Sequence, residues 1–268
     1  MSVGKPHVLV VTGGHHFEAD AFFSMFDADP NITWERGEQP EAAARLFRPE
    51  SAERFDAYVL YDLPGTRFWP GDEAYPPPAA LVEDFTRLLE AGTGLVFIHH
   101  ALFGWPLWEE YMQITGGWFL TQPRLINAME MPPSGWRTPV PHNLSVATRD
   151  HPVVEGIPDR FEIEDEVYLT APGWEDAVVP LLTSDYDMDP ANFVVSRWPM
   201  EEWDHPRGTN VVAWAKASGN SPVVGMAAGD GPAAYENAHY RRLVANAIAW
   251  VSSVEARAWA REESATRR

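Results

Sequence analysis

Apolar and polar positions fall into blocks that predict an alternating strand and helix order. His7 to Val11 is a compact apolar run, followed by the turn Thr12-Gly13-Gly14-His15-His16, after which Phe22, Phe23 and Phe26 recur at helical spacing. Short apolar runs at Ile32 to Trp34 and Ala57 to Tyr61 predict two further strands. Ala79 to Ala91 reads as a helix with Leu81, Val82, Phe85, Leu88 and Leu89 on one face, and Gly92 and Gly94 turn the chain into the next strand. That strand, Gly94 to Ile98, runs directly into His99 and His100. In open α/β sheets chemistry collects at such strand ends.

Beyond this point the pattern is less regular. Thr66 to Pro78, with Phe68, Trp69 and Tyr75, predicts a long loop of the kind that serves as a lid. Trp105, Trp108, Tyr111 and Met112 recur at helical intervals until Gly116-Gly117. Thr121 to Thr148 is proline-rich and reads as an irregular insertion with short strands. Strict alternation from Phe161 to Tyr168 predicts a strand with Phe161, Ile163, Asp165 and Val167 on one side and Glu162, Glu164, Glu166 and Tyr168 on the other. Strands at Val178 to Leu182, Asn210 to Trp214 and Pro222 to Met226 precede a helix over about Tyr235 to Val251. The expectation is one domain over residues 1–252 and a polar, solvated tail over 253–268.

Composition narrows the function. With 45% hydrophobic residues in 268, the chain can bury a large core. A formal charge of -19, from 20 Lys and Arg against 39 Asp and Glu, argues against nucleic acid and anionic membranes as partners. A small neutral or cationic ligand fits better. No apolar stretch approaches the roughly 20 residues that span a bilayer, so a cytoplasmic location is expected. A homodimer is the generic expectation for assembly. The chain has no cysteine, which removes disulfides, thiolate metal sites and a Cys nucleophile together. The glycines after the first strand match neither the phosphate-loop pattern nor G-x-G-x-x-G, so no nucleotide cofactor is expected.

Several residues carry candidate chemistry. His99, at a strand end, is a candidate acid/base group, with a buried hydrogen-bonded histidine as the alternative. If strand geometry persists, His100 points to the opposite face and packs inside. His15, His16 and His99 with Glu166, or with Glu164 in its place, can make a His/carboxylate set for a divalent metal, the alternative being histidines that bind loop backbone or sugar hydroxyls. Glu166, if enclosed near the histidines, suits removal of a proton beside a keto group; otherwise Glu164-Asp165-Glu166 is a solvated acidic edge. Of the 12 tryptophans, Trp105 and Trp108 are candidates to stack on a sugar ring, with Trp69 and Trp118 in neighbouring segments and core packing as the alternative. Tyr168 and Asp230 are further substrate-binding candidates, although Asp230 also suits a helix cap or the surface.

Several separated pieces together resemble the ThuA-like (trehalose utilisation) family: Val8-Leu9-Val10-Val11-Thr12-Gly13-Gly14-His15, Ile98-His99-His100-Ala101 with Trp105 and Trp108, His151-Pro152 with Gly156 and Pro158, Asp165-Glu166-Val167-Tyr168, and Val212-Ala213-Trp214 before Pro222 to Gly229. The resemblance implies a flavodoxin-like, class I glutamine amidotransferase-like α/β sandwich with a mainly parallel central sheet. It also implies a role in breaking down disaccharides, through 3-keto derivatives, by cleavage or isomerisation. In the amidotransferase relatives a catalytic cysteine stands where His99 stands here, so thiol glutaminase activity is excluded. At Gly229-Asp230 the chain departs from the Gly-His pair common in ThuA-like members. With the nucleophile gone, a non-catalytic carbohydrate-binding or regulatory protein is the alternative to a sugar-acting hydrolase, lyase or isomerase.

Overall fold

In the computed structural model, which describes residues 4–66, 73–195 and 203–266, the chain folds around one twisted sheet. The elements in order are β1 (His7–Gly13), α1 (Ala19–Asp27), β2 (Thr33–Glu38), α2 (Pro49–Ala52), β3 (Ala57–Asp62), α3 (Ala79–Ala91), β4 (Gly94–Ile98) and α4 (Glu109–Thr115). They continue with β5 (Arg124–Ile126), β6 (Met129–Met131), β7 (Gly135–Val146), β8 (Arg160–Leu169), β9 (Val179–Ser184) and β10 (Val194–Val195). The chain closes with β11 (Val211–Ser218), β12 (Ser221–Met226), α5 (Pro232–Glu236), α6 (Ala238–Val251) and α7 (Val254–Thr266).

The parallel core has the order β2-β1-β3-β4-β12. Its strands β3, β4 and β12 are buried along their whole length, which is why they read as unbroken apolar runs rather than alternating ones. Neighbouring residues of β4 show that both faces are covered. The Phe97 ring lies 5.8 Å from Tyr111 of α4. Ile98 instead lies beside Gly229 and Tyr240 of α6. Helix α3 buries Leu81, Phe85, Leu88 and Leu89 and is stopped by Gly92, whose φ of 83° is the left-handed geometry of a helix C-cap.

From β12 outward the sheet turns antiparallel through β11, β9 and β7, with β8 on the far edge of β7. The proline-rich stretch expected to be irregular forms the 12-residue strand β7 after a short β5-β6 hairpin. Its ladder with β8 shifts register between Arg137 and Val140, so Pro139, which has no N–H to give, falls in the break. Although β8 lies far from β4 in strand order, it packs on α5 and hydrogen-bonds to the turn after β12. The antiparallel half therefore curls over the carboxyl edge of the parallel strands.

The C-terminal segment is not the solvated tail expected from its charges. Helix α7 buries Ala256 and Ala260 against the sheet and sets Trp259 at 5.2 Å from Trp250. The helix expected over 235–251 is interrupted at Asn237, whose side chain accepts from His239 and Tyr240 N–H and caps α6. No described helix is long and apolar enough to cross a membrane.

Candidate active site

Four parallel strands deliver side chains to one edge: β1 ends before His15, β3 in Tyr61 and Asp62, β4 just before His99 and His100, and β12 before Asp230. Strand geometry does not persist past Ile98. His99 opens a 3-10 turn with φ of 51°, a left-handed conformation that costs a non-glycine residue about 1–2 kcal/mol. Such strain is retained where packing enforces it, often at functional sites. The turn corrects the expectation that the two histidines face opposite sides: their rings lie 5.7 Å apart, both buried at the same edge.

His99 is held on every side. Its Nδ1 lies 2.7 Å from the Ala227 carbonyl oxygen, which only accepts, so Nδ1 carries a proton. Its Nε2 meets the Tyr168 hydroxyl at 2.5 Å, Asp230 Oδ1 at 3.3 Å and Glu166 Oε1 at 3.4 Å. The Tyr168 ring stacks on the imidazole with centroids 4.3 Å apart. Burial disfavours the imidazolium, but hydrogen bonds and charge from Asp230 and Glu166 outweigh it and push the His99 pKa up to about 10. Burial likewise works against ionised Asp230, yet its hydrogen bond to His99 holds that carboxyl down at about 2.

The carboxylates are placed by a second layer. Asp165 is buried, and burial pushes its pKa up while backbone N–H groups of Asp230, Gly229 and Glu166 oppose the shift. Gly229 has φ of 120°, and a Cβ there would lie 2.1 Å from the Tyr240 hydroxyl, so only glycine fits this turn. The Tyr235 hydroxyl donates to the Asp230 carbonyl at 2.8 Å and is itself hydrogen-bonded to the Tyr61 hydroxyl. Solvent reaches the cluster through Glu166 and Asp230, whose side chains are 16% and 31% exposed beside a fully buried His99.

The edge also holds His15 and His100, with rings 4.5 Å apart. Burial lowers the pKa of both; for His100, the neighbouring His15 and His99 add to the effect. Asp62, at the end of β3, accepts from Gln39 at 2.7 Å, and burial lifts its pKa to about 7.

His99 and Glu166 thus meet, Asp230 joins them rather than capping a helix, and His15 stands beside His100. Other candidates are placed differently. His16 is exposed, and among the described residues no hydrogen bond or ion pair joins its imidazole to the cluster. Trp105 and Trp108 are only 7% and 6% exposed. Trp105 packs over Gly65 and edge-on to Tyr75, and Trp108 packs against Phe85 and Tyr111, so neither offers a face to a sugar. Trp118 is buried as well, and Phe68 and Trp69 lie outside the described residues. Tyr168 is buried, with its ring stacked on His99 and its hydroxyl 2.5 Å from Nε2. Asp165, which the sequence offers only as one of the Glu164-Asp165-Glu166 carboxylates, is buried and holds the turn at Gly229 and Asp230. Its signal is a carboxylate on the apolar side of the β8 alternation.

A family model described as trehalose utilisation (ThuA) matches residues 7–251. Among solved structures, the chain is similar to a ThuA-like protein from Parabacteroides merdae, at 17% identity and TM-score 0.66, covering 92% of this chain and 90% of that one. It is similar to a ThuA-like protein from Bacteroides uniformis, at 18% identity and TM-score 0.60, with coverages of 94% and 93%. PurLQS from Thermotoga maritima follows at 12% identity and TM-score 0.51, covering 92% of this chain and 99% of that one. These likenesses show the fold, a class I glutamine amidotransferase-like α/β architecture. No curated protein matches the sequence.

Proposed function

Because the chain belongs to the ThuA (trehalose utilisation) family, matched over residues 7–251, we propose that it is a carbohydrate-catabolic enzyme acting on the 3-keto derivative of a disaccharide. The observation that carries this reading is the contact of one imidazole nitrogen with two carboxylates, His99 Nε2 with Glu166 at 3.4 Å and Asp230 at 3.3 Å. It supplies a base next to a positive pole, the pair needed to remove a proton beside a carbonyl.

A keto group at C3 acidifies the hydrogen on C2. Glu166, reachable from solvent, takes that proton, and the positive pole at His99 stabilises the charge that moves onto the keto oxygen. From the enolate, the C1–O bond breaks as C1=C2 forms and the departing oxygen gains a proton, which gives cleavage. If instead O3 of the enediolate gains a proton and O2 gives one up, protonation of C3 yields the 2-keto sugar, which is isomerisation. Asp230 stays anionic throughout and keeps the pole in place, while Tyr168 and the Ala227 carbonyl fix the ring.

The test is turnover of 3-keto-trehalose, with trehalose as control. The keto sugar should be consumed and the parent left intact, and Glu166→Gln and His99→Gln should each slow turnover by about 100-fold or more. Binding of either sugar without turnover would replace this reading with a non-catalytic carbohydrate-binding protein.

A further inference from the structure

The carboxyl edge of the parallel strands carries more polar capacity than acid/base chemistry uses. His100 is 2% exposed, yet its Nδ1 has no hydrogen-bond partner among the described residues. Its Nε2 lies 3.3 Å from the Tyr61 carbonyl oxygen, so Nε2 carries the proton and Nδ1 presents a lone pair. Leaving such a nitrogen buried and unpaired costs about 1–3 kcal/mol. His99 Nδ1 likewise donates to Ala227, so Nε2, which faces Asp230 and Glu166, is the atom whose proton a metal ion would replace. Histidines that ligate metals characteristically donate their other N–H to a carbonyl or carboxylate, which fixes the tautomer.

His99, His100 and Asp230 each offer a ligand atom, and these atoms all lie within 4.8 Å of one another. Donors at about 2.0–2.1 Å around a tetrahedral ion are roughly 3.4 Å apart, so a small inward movement would close the set. We propose that His99, His100 and Asp230 form a divalent-metal site, His99 ligating through Nε2 and His100 through Nδ1. Two imidazole nitrogens and one carboxylate suit zinc or another first-row transition ion, not magnesium or calcium, which favour oxygen donors. Three protein ligands leave a position open for water or a carbonyl oxygen. His15, with its ring 4.5 Å from that of His100, and Glu166 stand at the margin of the set. Loading the site displaces the Tyr168 hydroxyl from its 2.5 Å contact with His99 Nε2.

This inference deepens the functional reading and rests on the same edge: the positive pole beside Glu166 becomes the metal ion, which polarises the keto oxygen, and Glu166 remains the base. The ligand set differs from the one expected from sequence, with His100 and Asp230 in place of the exposed His16.

The experiment is calorimetric titration of chelator-treated, untagged full-length protein with Zn²⁺, accompanied by the visible spectrum on adding Co²⁺. One equivalent should bind, with a cobalt band of low coordination number. Asp230→Asn and His100→Gln should each weaken binding by about 100-fold or more, and His16→Ala should leave it unchanged. Circular dichroism checks the fold of each variant. If His100→Gln does not fold, Asp230→Asn, at a partly exposed position, decides. Absence of stoichiometric binding, binding that survives Asp230→Asn, or loss in His16→Ala would overturn the site. Because the titration contains no sugar, metal binding without keto-sugar turnover would retain the site and reject the functional reading. Turnover by protein that binds no metal would do the reverse.

Discussion

Asp165 and Asp230 are joined through the backbone: one Asp165 carboxylate oxygen receives the Asp230 N–H at 3.0 Å, and the other receives the Gly229 N–H at 2.6 Å. The bond ties β8, which carries Glu166 and Tyr168, to the turn that carries Asp230. Asp165→Asn puts an amide N–H2 where one of these donors needs an acceptor. Destabilisation of about 1–3 kcal/mol is expected in urea unfolding, together with a loss of activity in the folded fraction.

Tyr168→Phe keeps the ring stacked on His99 and removes only the hydroxyl at Nε2. Stability should change by about 1 kcal/mol or less. Activity should fall by about 10- to 100-fold, in kcat more than KM, because the ring is positioned through Tyr168 while the substrate contacts remain. An unchanged kcat would remove Tyr168 from the machinery.

Trp108 separates core packing from sugar stacking. Because it is buried against Phe85 and Tyr111, Trp108→Ala should cost about 3–5 kcal/mol of stability. Trp108→Phe should fold and leave KM for the sugar unchanged. A stable Trp108→Ala protein with a raised KM would restore Trp108 to the binding site.

Asp62 should give the protein a specific pH dependence. Burial raises its pKa from 3.8 to about 7 in the folded state. Between these values the native state binds more protons than the unfolded one, so stability falls as pH rises through this window. The full penalty, of order 4 kcal/mol at most, is present above about pH 7. Asp62→Asn, which can still accept from Gln39, should therefore unfold at higher urea than wild type at pH 8 and at nearly the same urea at pH 4. Equal midpoints at both pH values would mean that Asp62 is not held protonated by burial.

The parts of the fold legible in the sequence are those where one local rule dominates. Strand β4 and helix α3 appear at their expected bounds because a doubly buried strand is an unbroken apolar run and Gly92 marks the cap. Strand β7 is hidden because Pro139 and Pro141 signal a loop, yet Pro139 falls in the register shift between Arg137 and Val140 and Pro141 stays in the ladder opposite Glu164. Helix α7 is hidden because two alanines and one tryptophan make its packed stripe amid many charges. At the site, His99 is legible from its place at a strand end. The convergence of His100, Asp230 and Glu166 on it is not, because it depends on a left-handed turn at His99, on the pairing of β12 with β4, and on a curl of the antiparallel half that brings β8 over them, none of which a local pattern encodes. Trp105 and Trp108 mislead because helical aromatic spacing describes core and cleft equally well.

The most direct test of Glu166 and His99 as a base beside a positive pole is proton exchange at C2 of a 3-keto-glycoside in D₂O, followed by NMR. Wild-type protein should lose the C2 hydrogen, by exchange or on forming product, and Glu166→Gln should slow that loss by about 100-fold or more while remaining folded. Product that retains the substrate's C2 hydrogen, or full loss of that hydrogen in Glu166→Gln, would contradict proton removal by Glu166.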